Sequence, residues 1–140
     1  MTQNVASVVG SVLADLGVGH AFGVVGSGNF HVTNALRARG IPFTAARHEG
    51  GAASMADGYS RLATRPAVLS VHQGCGLTNA MTGITEAVKS RTSLLVLAAE
   101  VTEMRSNFYV DQHGLADSVG AITMRVEAAE DAVATAARAR

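Results

Sequence analysis

The chain has 140 residues, 48% of them hydrophobic and 16% charged, and its eleven basic and eleven acidic side chains leave a formal net charge of zero. One domain is the natural expectation at that length, and burial of roughly 68% of the unfolded chain's surface would support it without disulfides or metals. Neutrality gives no electrostatic case for nucleic acid or an anionic membrane surface, and the single cysteine, Cys75, excludes an internal disulfide and suits a reducing, cytoplasmic setting.

Val5, Val8, Val9, Val12 and Leu13 recur at helical spacing, and Gly17 stands where a C-cap belongs. Residues 20–25 read as a short buried strand that runs into the turn Gly26-Ser27-Gly28-Asn29. A helix then extends to about Arg39 and stops at Gly40. Residues 42–46 form a second predicted strand, and an alanine-rich helix spans 49–62. Residues 67–72 are a third strand, followed by Gln73-Gly74-Cys75-Gly76 and a helix over 78–88. Residues 93–99 make a fourth, almost purely aliphatic strand. A polar irregular stretch covers 101–114. A fifth strand is predicted over 122–126 and a last helix over 128–140.

Strands alternating with helices predict an α/β fold: an open, mostly parallel sheet with helices on both faces. Continuous apolar strands fit a sheet covered on both sides. No linker divides the chain, so 1–140 reads as a single domain. Met1 to Val9 lacks the basic stretch of a secretory signal, and no apolar run approaches the ~20 residues of a membrane span.

In open α/β sheets, ligands bind outside the carboxyl ends of the strands. The glycine turns at 26–28 and 74–76 lie at such ends, and so does Glu49. A carboxylate at a helix start is favoured by the helix dipole, so Glu49 by itself is as well explained as an ordinary helix-start acid. The run Gly50-Gly51-Ala52-Ala53 shifts that balance, because it leaves room for something to pack closely against the turn. Residues 23–29 contain no full Gly-x-Gly-x-x-Gly, since residue 31 is His, and no Walker lysine, so a dinucleotide site is a weak reading. Cys75 has no visible base partner for a nucleophilic role. His72 at a strand end is either a packed histidine or a proton carrier. The five histidines show no metal-ligand spacing, and no metal site is expected.

Taken in order, these segments resemble the N-terminal, pyrimidine-binding domain of the thiamine-diphosphate enzyme superfamily that includes acetolactate synthase, benzoylformate decarboxylase and pyruvate decarboxylase. The resemblance covers essentially the whole chain. It is carried by HAFGVVGSGNFHVTNAL, by FTAARHEGGAASMADGYSRL, by PAVLSVHQGCGLTNAMTGITEA and by SLLVLAAEV. It implies that Glu49 hydrogen-bonds N1′ of the cofactor's aminopyrimidine, so that the cofactor's own 4′ nitrogen can take the proton from its thiazolium C2. Gly74, Gly76 and Asn79 match positions that line the aminopyrimidine pocket. His72 matches a proton carrier found in some decarboxylases of the family and generally absent from acetolactate synthases. Ser27 and Gly28 fall where relatives contact substrate. Gln112 is similar to a glutamine that synthases carry near the substrate, whereas His113 departs from their usual acid. The reaction implied is therefore either decarboxylation of a 2-oxo acid or ligation of two of them.

The family's diphosphate-binding (PP) domain carries Gly-Asp-Gly and a later asparagine, which hold the diphosphate and Mg2+. Neither stands in this chain, and Ala56-Asp57-Gly58 belongs to the pyrimidine-side motif. The resemblance thus implies a shared site and an isolated chain inactive by itself, completed by a PP domain or partner subunit, with a homo-oligomer expected. The chain reads as a fragment of a longer enzyme, as the small subunit of a two-chain decarboxylase, or as a non-catalytic association or regulatory module. The end at Arg138-Ala139-Arg140 has no capping signal and favours truncation at a domain edge. A flavodoxin-like or dinucleotide-binding protein is the competing class, supported only by the sheet pattern and the turn at 26–28.

Overall fold

A computed structural model of the chain describes residues 4–138. Four strands, β1 (His20–Gly23), β2 (Phe43–Ala45), β3 (Ala67–Val71) and β4 (Leu94–Ala98), form one parallel sheet in the order β2-β1-β3-β4. Six helices accompany them: α1 (Val5–Asp15), α2 (Phe30–Ala38), α3 (Glu49–Ala63), α4 (Cys75–Ser90), α5 (Gln112–Asp117) and α6 (Ala129–Arg138). The chain passes from β1 outward to β2 and then crosses back to β3 on the other side of β1. That reversal makes the carboxyl ends of β1 and β3 a topological switch point, where a crevice opens between the two following loops.

Side chains alternate across each strand, so each face of the sheet collects its own core. On one face Phe22, Leu69 and Val71 meet Ala52, Ala53 and Ala56 of α3, together with Leu77, Ala80 and Ile84 of α4. On the other face Ala21 and Val68 meet Val9 and Leu13 of α1, Leu36 of α2 and Ala132 of α6. β3 lies in the middle of both and is buried at every position. The alanines of α3 let it lie close to α4, which a larger residue would prevent. Among the described residues, no helix is long and apolar enough to cross a membrane.

Three expectations from the sequence need correction. The fifth strand over 122–126 does not form. β4 ends the sheet, and this segment is tied down by side chains instead: Arg125 grips Glu100 through two bonds of 2.8 and 2.7 Å, and Thr123 meets His113. α4 starts at Cys75 rather than at 78, because Gly74 adopts φ 64° and ψ −112° and serves as its N-cap. The irregular stretch ends early, since α5 begins at Gln112 and is capped by the Asp111 carboxylate accepting from Gly114 N.

The two helices that cover the first core face are also joined by charge. Asp57 of α3, 8% exposed, pairs with Arg61 at 2.7 Å, and Arg61 reaches Glu86 of α4 at 3.3 Å. Burial pushes the Asp57 carboxyl up, but the Arg61 hydrogen bond and charge outweigh it and hold the group below its ordinary value of 3.8. A carboxyl depressed in the folded state contributes stability that is present above the unfolded value and is lost as pH falls through the folded one. Thermal melts should therefore show a steep loss below about pH 3.8. Asp57→Asn should start less stable at neutral pH and lose less on acidification, as read from Tm against pH.

Candidate functional site

Three loops converge at the switch point. The first follows β1 and carries Gly26, Ser27 and Gly28. The second joins β2 to α3 and presents Glu49. The third follows β3 and carries His72, Gln73 and Gly74. These are the segments the sequence singled out, and the fold brings Ser27, Glu49, His72, Gly76 and Asn79 into one neighbourhood.

Glu49 opens α3, yet it does not cap the helix. That task falls to His48, whose Nδ1 accepts from Gly50 N at 3.0 Å. The half-buried Glu49 carboxylate turns instead toward α4, where Asn79 Nδ2 donates to its Oε2 at 3.1 Å. Among the described residues, Oε1 accepts no hydrogen bond. A Cβ on Gly76 would stand 3.5 Å from that oxygen and 3.1 Å from His72 Cβ. Gly76 is therefore the floor between the carboxylate and the base of the His72 side chain, and any side chain there would fill that space.

His72 is oriented from two sides. Its Nδ1 lies 2.9 Å from Gln73 O, and a carbonyl can only accept, so Nδ1 carries the proton. Nε2 is then the acceptor for the Ser27 hydroxyl at 3.2 Å. A Cβ on Gly26 would stand 2.7 Å from His72 Cδ2, so only glycine lets this turn lie against the ring. Gly28 presses in the same way on the Gln73 side chain. Phe108 closes the outer side of the imidazole, with ring centroids 5.7 Å apart.

Gln112 and His113 stand apart from this group. Gln112 Oε1 accepts from Gly74 N at 2.8 Å and its Nε2 donates to Ala99 O at 2.9 Å, so its amide links the third loop to the segment after β4. His113 bonds Thr123 and does not reach the Ser27–His72 pair. Gly74 supports the site through its backbone: its positive φ of 64° shapes the turn, and a Cβ there would lie 2.9 Å from Phe108 O. Cys75 is exposed. Among the described residues, no cluster of three His, Cys, Asp or Glu could hold a metal ion. The sequence reading missed Asn29, buried beneath the first loop at 1% exposure. Its partner Ser70 lies 41 positions away, and local sequence carries no signal of that pairing.

A half-buried carboxylate with one oxygen unengaged, beside a floor of glycine, suits a flat nitrogen heterocycle that shares a proton through one ring nitrogen. The fold and these loops define an open α/β domain with a half-buried carboxylate at its switch point. Residues 3–124 match the model of the thiamine pyrophosphate enzyme family, N-terminal TPP binding domain, and the chain belongs to that family. It is 39% identical over 88 residues to a probable 2-ketoarginine decarboxylase of Pseudomonas aeruginosa, covering 63% of this chain and 16% of that protein. It is 38% identical over 97 residues to the acetolactate synthase large subunit of Buchnera aphidicola, covering 69% of this chain and 17% of that protein. Its fold is similar to the thiamine diphosphate-dependent 4-hydroxybenzoylformate decarboxylase of Rhodococcus jostii RHA1, with a TM-score of 0.85 and 26% identity over 98% of this chain and 27% of that one. The chain thus spans about a sixth of the length of those curated relatives, 16–17%.

Proposed function

We propose that this chain is the pyrimidine-binding part of a thiamine-diphosphate-dependent 2-oxo-acid decarboxylase, completed by a PP domain that holds the diphosphate and Mg2+. The observation that carries this reading is the Glu49 carboxylate, fixed by Asn79 at Oε2 and with Oε1 beside Gly76, on the same sheet end as the Ser27–His72 pair. When bound, the cofactor supplies the electron sink that makes loss of CO2 from a 2-oxo acid feasible. Glu49 would hold the cofactor's aminopyrimidine through Oε1, and Asn79 fixes the other carboxylate oxygen. Gly76 leaves room for the ring. In its neutral form His72 accepts from Ser27 at Nε2, and when protonated there it would deliver the proton that replaces the departing carboxylate. Gln112 spends both ends of its amide on backbone groups, which favours decarboxylation over a synthase role for that side chain.

Met55 and Leu62 on α3 remain exposed, the latter at 88%, and support an assembled protein in which further chain covers this side. In titrations with thiamine diphosphate and Mg2+, binding is expected only when a PP domain is supplied. In that assembly His72→Ala should keep cofactor affinity and lose roughly 10²–10⁴-fold in decarboxylation rate. A variant that decarboxylates at the wild-type rate would overturn the role of His72. Tight nucleotide binding by the chain alone would favour the dinucleotide-binding class instead.

A further inference from the structure

Asn29 occupies the N-cap position of α2, where an asparagine side chain ordinarily accepts a hydrogen bond from the first turn of its own helix. Here it makes no such bond. Its Oδ1 accepts from Gly26 N at 2.7 Å, and its Nδ2 donates to Val24 O at 3.1 Å and to Ser70 Oγ at 3.0 Å. Both amide donors are used, and the residue is 1% exposed. Thr33 Oγ1 stands 3.3 Å behind Ser70 Oγ and completes a buried polar group. A buried amide that leaves its capping role meets a demand elsewhere, because burial without partners would be costly.

That demand is the turn between Val24 and Asn29. Gly26 and Gly28 have no side chains to anchor it, and the Asn29 amide ties it to the central strand β3 through Ser70. The turn carries Ser27, whose hydroxyl reaches His72 Nε2. We propose that Asn29 is a positioning residue for His72: it fixes the 26–28 turn so that Ser27 donates to Nε2. This inference rests on the reading of Ser27 and His72 as a working pair.

The test is 15N NMR of the full chain with labelled histidine, at a pH where the His72 ring is neutral. Ser27→Ala removes the donor, so the Nε2 resonance should move downfield. Asn29→Ala should move it downfield by the same amount, and the double variant should add nothing. The Nδ1 resonance should hold still in all three, because Gln73 O still accepts from it. Ser70→Ala removes one of the three Asn29 bonds and leaves the turn's own residues in place. It should give a smaller shift in the same direction, and it carries the test if Asn29→Ala does not fold. A shift in Ser27→Ala with none in Asn29→Ala overturns the positioning role and leaves the pair standing. No shift in Ser27→Ala overturns the pair and the role together. If Asn29→Ala does not fold, an unmoved signal in Ser70→Ala also overturns the role.

Discussion

Glu49→Gln should lose roughly 10²–10⁴-fold in turnover of the assembled enzyme while its melting curve stays close to wild type. The substitution preserves shape. A glutamine amide oxygen can still accept from Asn79 Nδ2, as Glu49 Oε2 does at 3.1 Å. The other end then presents an NH2 group where Oε1 stood, and a neutral amide donor cannot share a proton with a ring nitrogen. Helix capping is untouched, because His48 performs it. Chemistry and fold are therefore separable at this position. Steady-state kinetics beside a thermal melt reads both, and normal turnover would remove Glu49 from the chemistry.

Gly83→Ala should destabilise the fold by separating α3 from α4. Gly83 lies on α4 where that helix touches α3, and an added methyl would collide with the Ala53 side chain and lie 3.2 Å from its backbone carbon. Neither neighbour is a flexible side-chain tip, so one helix must move. Overpacking of this kind costs about 1–3 kcal/mol. For a chain of this size that is a drop of roughly 3–10 °C in Tm. The same movement draws α3 from α4 and lengthens the Glu49–Asn79 contact. Cofactor affinity in the assembled protein should fall with Tm, whereas Gly51→Ala, which meets nothing of this chain within 4 Å, should spare the Tm of the chain. Melts of the two variants side by side check this.

The sheet was legible because short, mostly apolar runs alternate with helical patterns, and β1 to β4 appear where those runs stand, trimmed by a residue or two at their ends. The segment at 122–126, Ile-Thr-Met-Arg-Val, alternates apolar and polar residues as a strand would and forms none. Pairing is decided by a neighbour with free backbone groups in reach, and Arg125 on Glu100 settles this segment elsewhere. The start of α4 was misplaced because Gly-Cys-Gly looks like a turn, while only Gly74 is non-helical there. Glu49 could be singled out because small residues follow it. The Ser27–His72 pair, 45 positions apart, became visible only through the fold, although the resemblance had marked both residues. Asn29 was hidden for the same physical reason: its role depends on Ser70 of a strand that arrives later in the chain.

The most direct measurement is the 15N resonance of N1′ in labelled thiamine diphosphate, added with Mg2+ to this chain and a PP domain. With wild-type protein the bound cofactor should show an N1′ signal moved toward its protonated position, and with Glu49→Gln that movement should vanish while the cofactor stays bound. An identical bound signal from both proteins would contradict the assignment of Glu49 to the pyrimidine.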